Sequence, residues 1–264
     1  MLYGVMNFPV IPVLDELESL AALDFDFLEL AMDSPAAHYT TVGDQKSGLL
    51  AALKRHEMQL VCHLPTFVLL ADLTDSIRHA SLTEVLKSLE TVAALGVKKA
   101  VCHPAFISGM GAYAIEAARR HAWASLTAIV SKAAELGVTL CLENMFPRSL
   151  FGVEVAEFRE IFNRFPNLML TLDTGHANIG SPRGKRILKF IDAFADRIGH
   201  IHVSDNFGKQ DNHLPIGSGT IAFPKIVSAL KKTGYDDTVT FEVFTPDREY
   251  LRLSRQKFDR LWRG

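Results

Sequence analysis

Short apolar segments alternate with amphipathic segments along the whole chain. Runs rich in Val, Ile, Leu and Phe begin 23 to 40 residues apart, and each is followed by apolar residues at helical spacing. This alternation is typical of parallel strands joined by crossover helices. It predicts eight strands, at residues 2–8, 25–32, 59–64, 98–103, 138–145, 168–173, 198–204 and 238–244.

The turn residues between these segments, and the lack of a linker, favour a closed barrel. Gly96, Gly137 and Gly234 each stand just past a predicted helix, where a turn into the next strand is expected. No linker or charge block divides the chain, so we expect one (β/α)₈ TIM-barrel domain over residues 1–264. A doubly wound open sheet is the alternative. It would normally carry a glycine-rich turn after the first strand, where this chain has the sequence FPVIP.

Composition and charge narrow the classes of function. Of the 264 residues, 48% are hydrophobic and 22% charged, as in ordinary globular proteins. A formal net charge of −2 does not favour binding to a phosphate backbone. No apolar run approaches the ~20 residues of a membrane span, and the start lacks a basic, then apolar, leader, so we expect no membrane association and a cytoplasmic location. No pattern in the chain indicates a particular oligomeric state.

Ionisable residues stand where strands three to eight end, or in the loops that follow. They are His63, His103, Glu143, Asp173, His176, His202, Asp211, His213 and Glu242. In a barrel these ends converge on one face, where active sites are built. Burying so many ionisable groups together is very unfavourable unless a cation organises them. Nitrogen and carboxylate ligands without thiolate predict a divalent ion such as Zn, Mn, Co or Fe(II).

Strand alternation sorts the neighbouring residues. Cys62 and Cys102 should face the helices, whereas Cys141 should lie inside the barrel. We expect all three to be buried thiols, because they form no C-x-x-C motif. His202 stands nearer the end of its strand than His200, so His202 is the predicted ligand and His200 a residue that supports it. Two further polar residues are candidates for orienting the ligands, Asn144 and Asp205.

The arrangement resembles the xylose isomerase-like TIM barrels, which include sugar isomerases and epimerases, inosose-processing enzymes and AP endonucleases of the endonuclease IV type. The resemblance implies a metal, Zn or Mn being expected, held by Glu143, Asp173, His202 and Glu242. It further implies a metal-dependent isomerase or epimerase acting on a small carbohydrate or related hydroxy-carbonyl compound. In this chemistry Glu143 and Glu242 would transfer a proton through an enediolate.

The endonuclease branch is the alternative. It would use His63, His103, His176, Asp211 and His213 as further ligands, which predicts a capacity for more than one ion. Two features argue against binding to DNA. Thr66 occupies the position where the endonuclease branch is expected to have an aromatic residue that probes the duplex. The loops after the first four strands also carry no Lys or Arg close to the strand ends. The epimerase branch is not matched in full either, because Gly208 stands where a basic residue is expected after the strand-seven ligand.

A phosphorylated sugar is a further alternative for the substrate. The segment GSGT at residues 217–220 precedes a predicted helix near Phe223, and barrel loops in this region often bind phosphate through backbone amides. A plain turn is the other interpretation, because Gly-x-Gly by itself is a weak signal.

Overall fold

Eight parallel strands close into a barrel in chain order, with each strand pairing with the next and the first with the last. The computed structural model of the protein describes residues 1–264 apart from the side chain of Pro182. The strands are β1 (Leu2–Met6), β2 (Phe27–Ala31), β3 (Gln59–His63), β4 (Lys99–Cys102), β5 (Thr139–Glu143), β6 (Met169–Asp173), β7 (Ile198–Val203) and β8 (Thr238–Phe241). The predicted (β/α)₈ barrel is confirmed.

Helices surround the barrel and pack their apolar faces against it. They are α1 (Val13–Ala21), α2 (Tyr39–Asp44), α3 (Lys46–Arg55), α4 (Asp75–Ala94), α5 (Ile115–Glu135), α6 (Val155–Arg164), α7 (Thr174–Asn178), α8 (Lys185–Phe194), α9 (Phe223–Thr233) and α10 (Glu249–Arg263). Gly96, Gly137 and Gly234 adopt φ of +78°, +66° and +74°, which confirms the predicted helix-to-strand turns. In the described part of the chain, none of the helices combines the length and apolarity needed to cross a membrane.

Three strands end earlier than the apolar pattern predicts. The sequence predicts strand ends at Phe8, Met145 and Phe244, whereas β1, β5 and β8 end two or three residues before them. These three side chains line a cavity above the barrel. They are therefore apolar because of what they cover, not because their backbone pairs in the sheet. The remaining strand bounds differ from the prediction by two residues or fewer.

The barrel interior is filled in layers that change from apolar to polar. A small apolar cluster of Phe27, Val61 and Val101 lies inside, with Leu2 packed against it. Gly4 is needed beside this cluster, because a Cβ at that position would lie 2.1 Å from the Phe27 ring. Two residues further along their strands, the inward positions become ionisable. The apolar layer therefore supports a polar layer at the carboxyl ends of the strands.

The three thiols are buried as predicted. Cys62 and Cys102 belong to the large apolar cluster between the barrel and its helices. Cys141 lies two residues before Glu143 on β5, so the two side chains share a face, and the sulfur of Cys141 would lie 3.1 Å from a Cβ placed on Gly199 of β7. The predicted inward position of Cys141 is therefore confirmed. Burial raises the pKa of Cys102 and Cys141 to about 12, so both stay protonated near neutral pH.

Candidate metal centre

The imidazole of His202 lies between the carboxylates of the other three predicted ligands. Its Nδ1 is 3.2 Å from Glu143 Oε2, 3.3 Å from Glu242 Oε1 and 3.8 Å from Asp173 Oδ2. Glu143 and Asp173 are the last residues of β5 and β6, and Glu242 directly follows β8. Atoms of Glu143, Asp173 and His202 all lie within 4.8 Å of one another. Glu242 contacts His202 but is not a member of that group.

Two atoms at this centre are buried without a hydrogen-bond partner. They are Asp173 Oδ2 and His202 Nδ1, on residues that are 1% and 0% exposed. An unpaired buried polar atom costs ~1–3 kcal/mol, so such atoms are rare without a reason. A carboxylate oxygen and an imidazole nitrogen 3.8 Å apart are a matched pair of donors for a divalent cation. The donor set therefore fits a metal ion.

The pKa values of the buried acids and of His202 also indicate a centre that needs positive charge. Burial alone would raise the pKa of Glu143, but His202 and His103 hold it well below its ordinary value. Burial raises the pKa of Asp173 to about 8 despite the attraction of His176, and repulsion from Glu143 and Glu242 contributes. Burial opposes a charged His202, yet Glu242, Glu29 and Glu143 raise its pKa well above the ordinary value. Without another cation, protons neutralise part of the buried negative charge.

A second group of ligand atoms shares Glu143. His63 Nε2 and His103 Nε2 lie 3.4 Å and 3.3 Å from Glu143 Oε2, and the three residues form another group within 4.8 Å. His63 Nδ1 lies 2.8 Å from the carbonyl oxygen of Leu64. If Nδ1 carries the proton that this carbonyl accepts, the lone pair of Nε2 faces the centre. This group could therefore hold a second ion.

The remaining three predicted residues form a chain along the opening of the barrel. His176 lies on α7, with Nδ1 2.9 Å from Glu143 Oε1 and Nε2 3.2 Å from Asp211 Oδ2. Asp211 Oδ2 also lies 2.9 Å from His213 Nε2. Burial opposes a charged His213, but the hydrogen bond to Asp211 raises its pKa to about 9. The structure thus brings all nine sequence-predicted residues around one centre.

Sequence reasoning missed Glu29, which lies inside the barrel beneath the centre. Its Oε1 is 3.0 Å from His202 Nε2 and its Oε2 is 2.9 Å from His200 Nε2. All three residues are fully buried. Although burial disfavours a carboxylate, His202 and His200 hold the pKa of Glu29 well below its ordinary value. The signal that could have revealed it is a lone acid inside the otherwise apolar strand FLELA.

A cavity of about 730 Å³ opens above the centre and reaches His63, His103, Glu143, His176, Asp211, His213 and Glu242. Its walls come from the loops that follow the strands. Among the cavity-lining residues that the structure describes, none is Lys or Arg. This cavity opens onto the ligand cluster, and its described lining offers no Lys or Arg to contact a nucleic-acid backbone.

The sequence model of the xylose isomerase-like TIM barrel family matches residues 17–261. The chain belongs to this family. As a xylose isomerase-like TIM barrel, it carries its candidate centre at the carboxyl ends of the strands, where barrels of this architecture build active sites.

The proteins with similar sequences include an uncharacterized protein and several that are named as sugar epimerases. An uncharacterized protein of Methanocaldococcus jannaschii is 28% identical over 248 residues, covering 92% of this chain and 83% of that protein. The L-ribulose 3-epimerase of Mesorhizobium japonicum is 31% identical over 157 residues, covering 57% of this chain and 50% of the epimerase. The solved structure of a D-tagatose 3-epimerase-like protein matches with a TM-score of 0.87 at 25% identity, over 100% of this chain and 97% of that chain.

Two polar residues predicted to orient ligands have different roles in this xylose isomerase-like barrel. Asn144 brackets the backbone of Asp173, donating to its carbonyl oxygen at 3.0 Å and accepting from its amide at 2.9 Å. Asp205 instead binds the loop after β7, where its carboxylate accepts the amides of Gly217, Gly219 and Ile221 at 2.9–3.1 Å. Asn144 therefore fixes the strand end that carries the candidate ligand Asp173, and Asp205 fixes a loop.

The loop bound by Asp205 is the one that the sequence offers as a phosphate site. Its amides already donate to a carboxylate that is fully buried. Gly219 packs so closely that a Cβ there would lie 2.4 Å from the carbonyl oxygen of Asn206. The contacts therefore favour the plain turn over the phosphate-binding alternative, because the anion that this loop binds is the protein's own side chain.

Proposed function

We propose that the protein is a divalent-metal-dependent sugar isomerase or epimerase, acting on a small carbohydrate or a related hydroxy-carbonyl compound. The observation that carries the proposal is the placement of Glu143 and Glu242. Both carboxylates lie within 3.3 Å of the same nitrogen of His202, and both line the cavity. The names of the relatives, L-ribulose 3-epimerase among them, support the same chemistry.

The ion would be held by Glu143, Asp173, His202 and Glu242. The unpartnered atoms of Asp173 and His202 support this assignment, since each would gain a partner. When bound, a divalent ion supplies positive charge that polarises a carbonyl oxygen and stabilises the negative charge of an enediolate. Zn and Mn both suit nitrogen and carboxylate donors, and the second group around His63 and His103 supports a capacity for more than one ion.

The two glutamates would move the proton. One carboxylate removes the proton from the carbon next to the carbonyl, and the electrons of the broken C–H bond form the enediolate. The other carboxylic acid then returns a proton to carbon. Return to the opposite face of the same carbon inverts its configuration, whereas return to the neighbouring carbon moves the carbonyl group. Asn144 contributes indirectly, since it holds the strand end at Asp173.

Solvent exchange tests this proposal directly. Ketoses and related hydroxy-carbonyl compounds are incubated with the metal-loaded enzyme in heavy water. We expect deuterium at the carbon next to the carbonyl, even where the equilibrium hides net conversion. Glu143→Gln and Glu242→Gln should each abolish the labelling, whereas Asp192→Asn, at an exposed position on α8, should not. Labelling that survives in both glutamine variants would refute the two-glutamate mechanism.

The endonuclease alternative is favoured by one observation, the group formed by His63, His103 and Glu143. None of the described residues that line the cavity is Lys or Arg, which argues against a DNA groove. A duplex with an abasic site, assayed in parallel, should show neither efficient incision nor a steep dependence on salt. Robust incision that is lost in His103→Ala, without labelling of any compound, would overturn the proposal in favour of a metal-dependent phosphodiesterase.

A further inference from the structure

Five phenylalanine rings surround the cavity above the candidate centre, and we call them the phenylalanine wall. They lie in the segments that follow β1, β3, β4, β5 and β8, and they are, in that order, Phe8, Phe67, Phe106, Phe146 and Phe244. Phe106 and Phe146 form one pair, with centroids 6.2 Å apart, and Phe146 packs on His176 at 5.0 Å. Phe8 and Phe244 form another pair at 6.0 Å, and Phe244 packs on His213 at 4.7 Å.

The wall leaves much apolar surface open to solvent. Phe67 is 87% exposed and Phe8 42% exposed at the mouth of the cavity. Large apolar surfaces at the rim of a cavity are typical of ligand sites. The rings are rigid and approach the centre from two sides, so an apolar group entering the cavity would lie between them.

Polar groups on the wall are scarce outside the ligand cluster. Among the described lining residues, only Asp33 and Thr66 supply polar side chains there. Asp33 Oδ1 already accepts the backbone amides of Thr66 at 2.9 Å and Phe67 at 3.4 Å, so it holds the loop that carries the exposed ring. Among the described lining residues outside the ligand cluster, Asp33 Oδ2 and the Thr66 hydroxyl are therefore the side-chain groups left to pair with hydroxyl groups of a ligand.

This distribution disfavours a free ketose as the preferred substrate. The carbonyl group, its neighbouring hydroxyl and any hydroxyl that reaches the histidines would face the ligand cluster, but a hydroxyl that extends beyond the cluster would be brought against phenylalanine rings. Each hydroxyl that loses water without gaining a hydrogen bond weakens binding. A free pentulose or hexulose also fills only a fraction of the 730 Å³.

We propose that the preferred substrate is an amphipathic hydroxy-carbonyl compound, in which a neutral apolar substituent of about the size of an aromatic ring contacts the phenylalanine wall. The inference rests on the proposed function, because it assigns the polar end of the ligand to the centre. The substituent carries no negative charge, because none of the described lining residues is Lys or Arg and the loop amides near Gly217 and Gly219 already bind Asp205.

Matched substrates test this inference. Exchange in heavy water is measured for a ketohexose, for its 1-O-benzyl and 6-O-benzyl ethers, and for the corresponding methyl ethers. We expect one benzyl ether to have a KM about tenfold or more below that of the free sugar, since burying a phenyl ring is worth at least one decade of affinity. Methyl ethers should fall close to the free sugar.

Variants test which phenylalanine rings contact the benzyl group. Phe67→Ala removes a ring that is 87% exposed and Phe8→Ala one that is 42% exposed, so neither variant should impair folding. Each should reduce the ratio of KM values between free sugar and benzyl ether several-fold. Phe207→Ala is the matched control, because Phe207 is 59% exposed but does not line the cavity, and it should leave the ratio unchanged.

A binding measurement separates failure of this inference from failure of the proposed function. Saturation-transfer NMR on the benzyl ethers reports contact of the ring with the protein whether or not exchange occurs. Contact that is weakened by Phe67→Ala, without exchange on any compound, would uphold the apolar site and refute the epimerase. Exchange on the free ketose with no gain for either benzyl ether would uphold the epimerase and overturn the apolar-substituent proposal.

Discussion

Glu29 and His202 are joined by a hydrogen bond of 3.0 Å between Oε1 and Nε2, inside the barrel and out of contact with water. Because the carboxylate accepts the Nε2 proton, the opposite nitrogen of His202 is the one available to a metal ion. That nitrogen, Nδ1, is the atom that faces Glu143, Asp173 and Glu242. A carboxylate behind a ligating histidine fixes the tautomer and raises the basicity of the ligand. Glu29 is therefore a positioning residue for the centre.

Replacing Glu29 tests this role. Glu29→Gln keeps the volume but removes the charge, so we expect the affinity for Mn or Zn to fall about 10–100-fold while the fold is retained. Isothermal titration calorimetry on the variant and the parent protein measures the change. Glu160→Gln, an exposed position on α6, is the control and should bind as the parent does. An unchanged metal affinity in Glu29→Gln would show that the charge of Glu29 behind His202 does not contribute to metal binding.

Metal should stabilise the fold. A ligand that binds only the native state raises the free energy of unfolding by about 2.7 kcal/mol when present at 100 times its Kd. After treatment with a chelator, added Mn or Zn should therefore raise the melting temperature. Asp173→Asn and His202→Ala should reduce this response, whereas Asp192→Asn should keep it in full. No metal-dependent shift in the parent protein would contradict the centre.

A second ion should depend on His63 and His103. Elemental analysis and anomalous scattering should find more than one ion in the metal-saturated protein, because these residues form their own group with Glu143. His63→Ala and His103→Ala should each reduce the content towards one ion and leave the ion at Asp173 in place. A single ion in the parent protein would instead reassign both histidines to contacts with substrate hydroxyls.

Metal binding should release protons near neutral pH. Burial raises the pKa of Asp173 to about 8, with repulsion from Glu143 and Glu242 opposing the attraction of His176, so this carboxyl is protonated in the metal-free protein below that pH. A cation must displace the proton, and its affinity should weaken about tenfold for each unit of falling pH per displaced proton. Calorimetry in buffers of different ionisation enthalpy counts the protons. Equal affinity for Mn at pH 6 and pH 8 would contradict this assignment.

The loop held by Asp205 should be structural. Asp205→Ala leaves the amides of Gly217, Gly219 and Ile221 without their acceptor, so we expect a loss of about 1–3 kcal/mol in the free energy of unfolding. Chemical denaturation measures this loss, and Asp192→Ala is the control. Inorganic phosphate should not raise the melting temperature of the parent protein. A clear stabilisation by phosphate would reinstate the loop as an anion site.

Much of this protein is determined by sequence patterns that are local. The eight strands follow from apolar runs and helical spacing, and the turn at Gly96 follows from a glycine just past a helix. The candidate ligands also follow, because one rule places the carboxyl ends of all barrel strands on one face. Side-chain alternation then separates inward residues such as His63 from outward ones such as Cys62.

Contacts across the barrel were decided only by the tertiary structure. Glu29 and His202 are 173 residues apart in the chain, and no local pattern specifies that their strands bring these atoms together. The partner of the Gly217 amide was undetermined for the same reason, since a glycine-rich loop offers its amides equally to a phosphate or to Asp205. The phenylalanine wall likewise depends on how separate loops fold over one opening. Periodicity reports which face a residue takes, whereas register and loop packing decide which residue it meets.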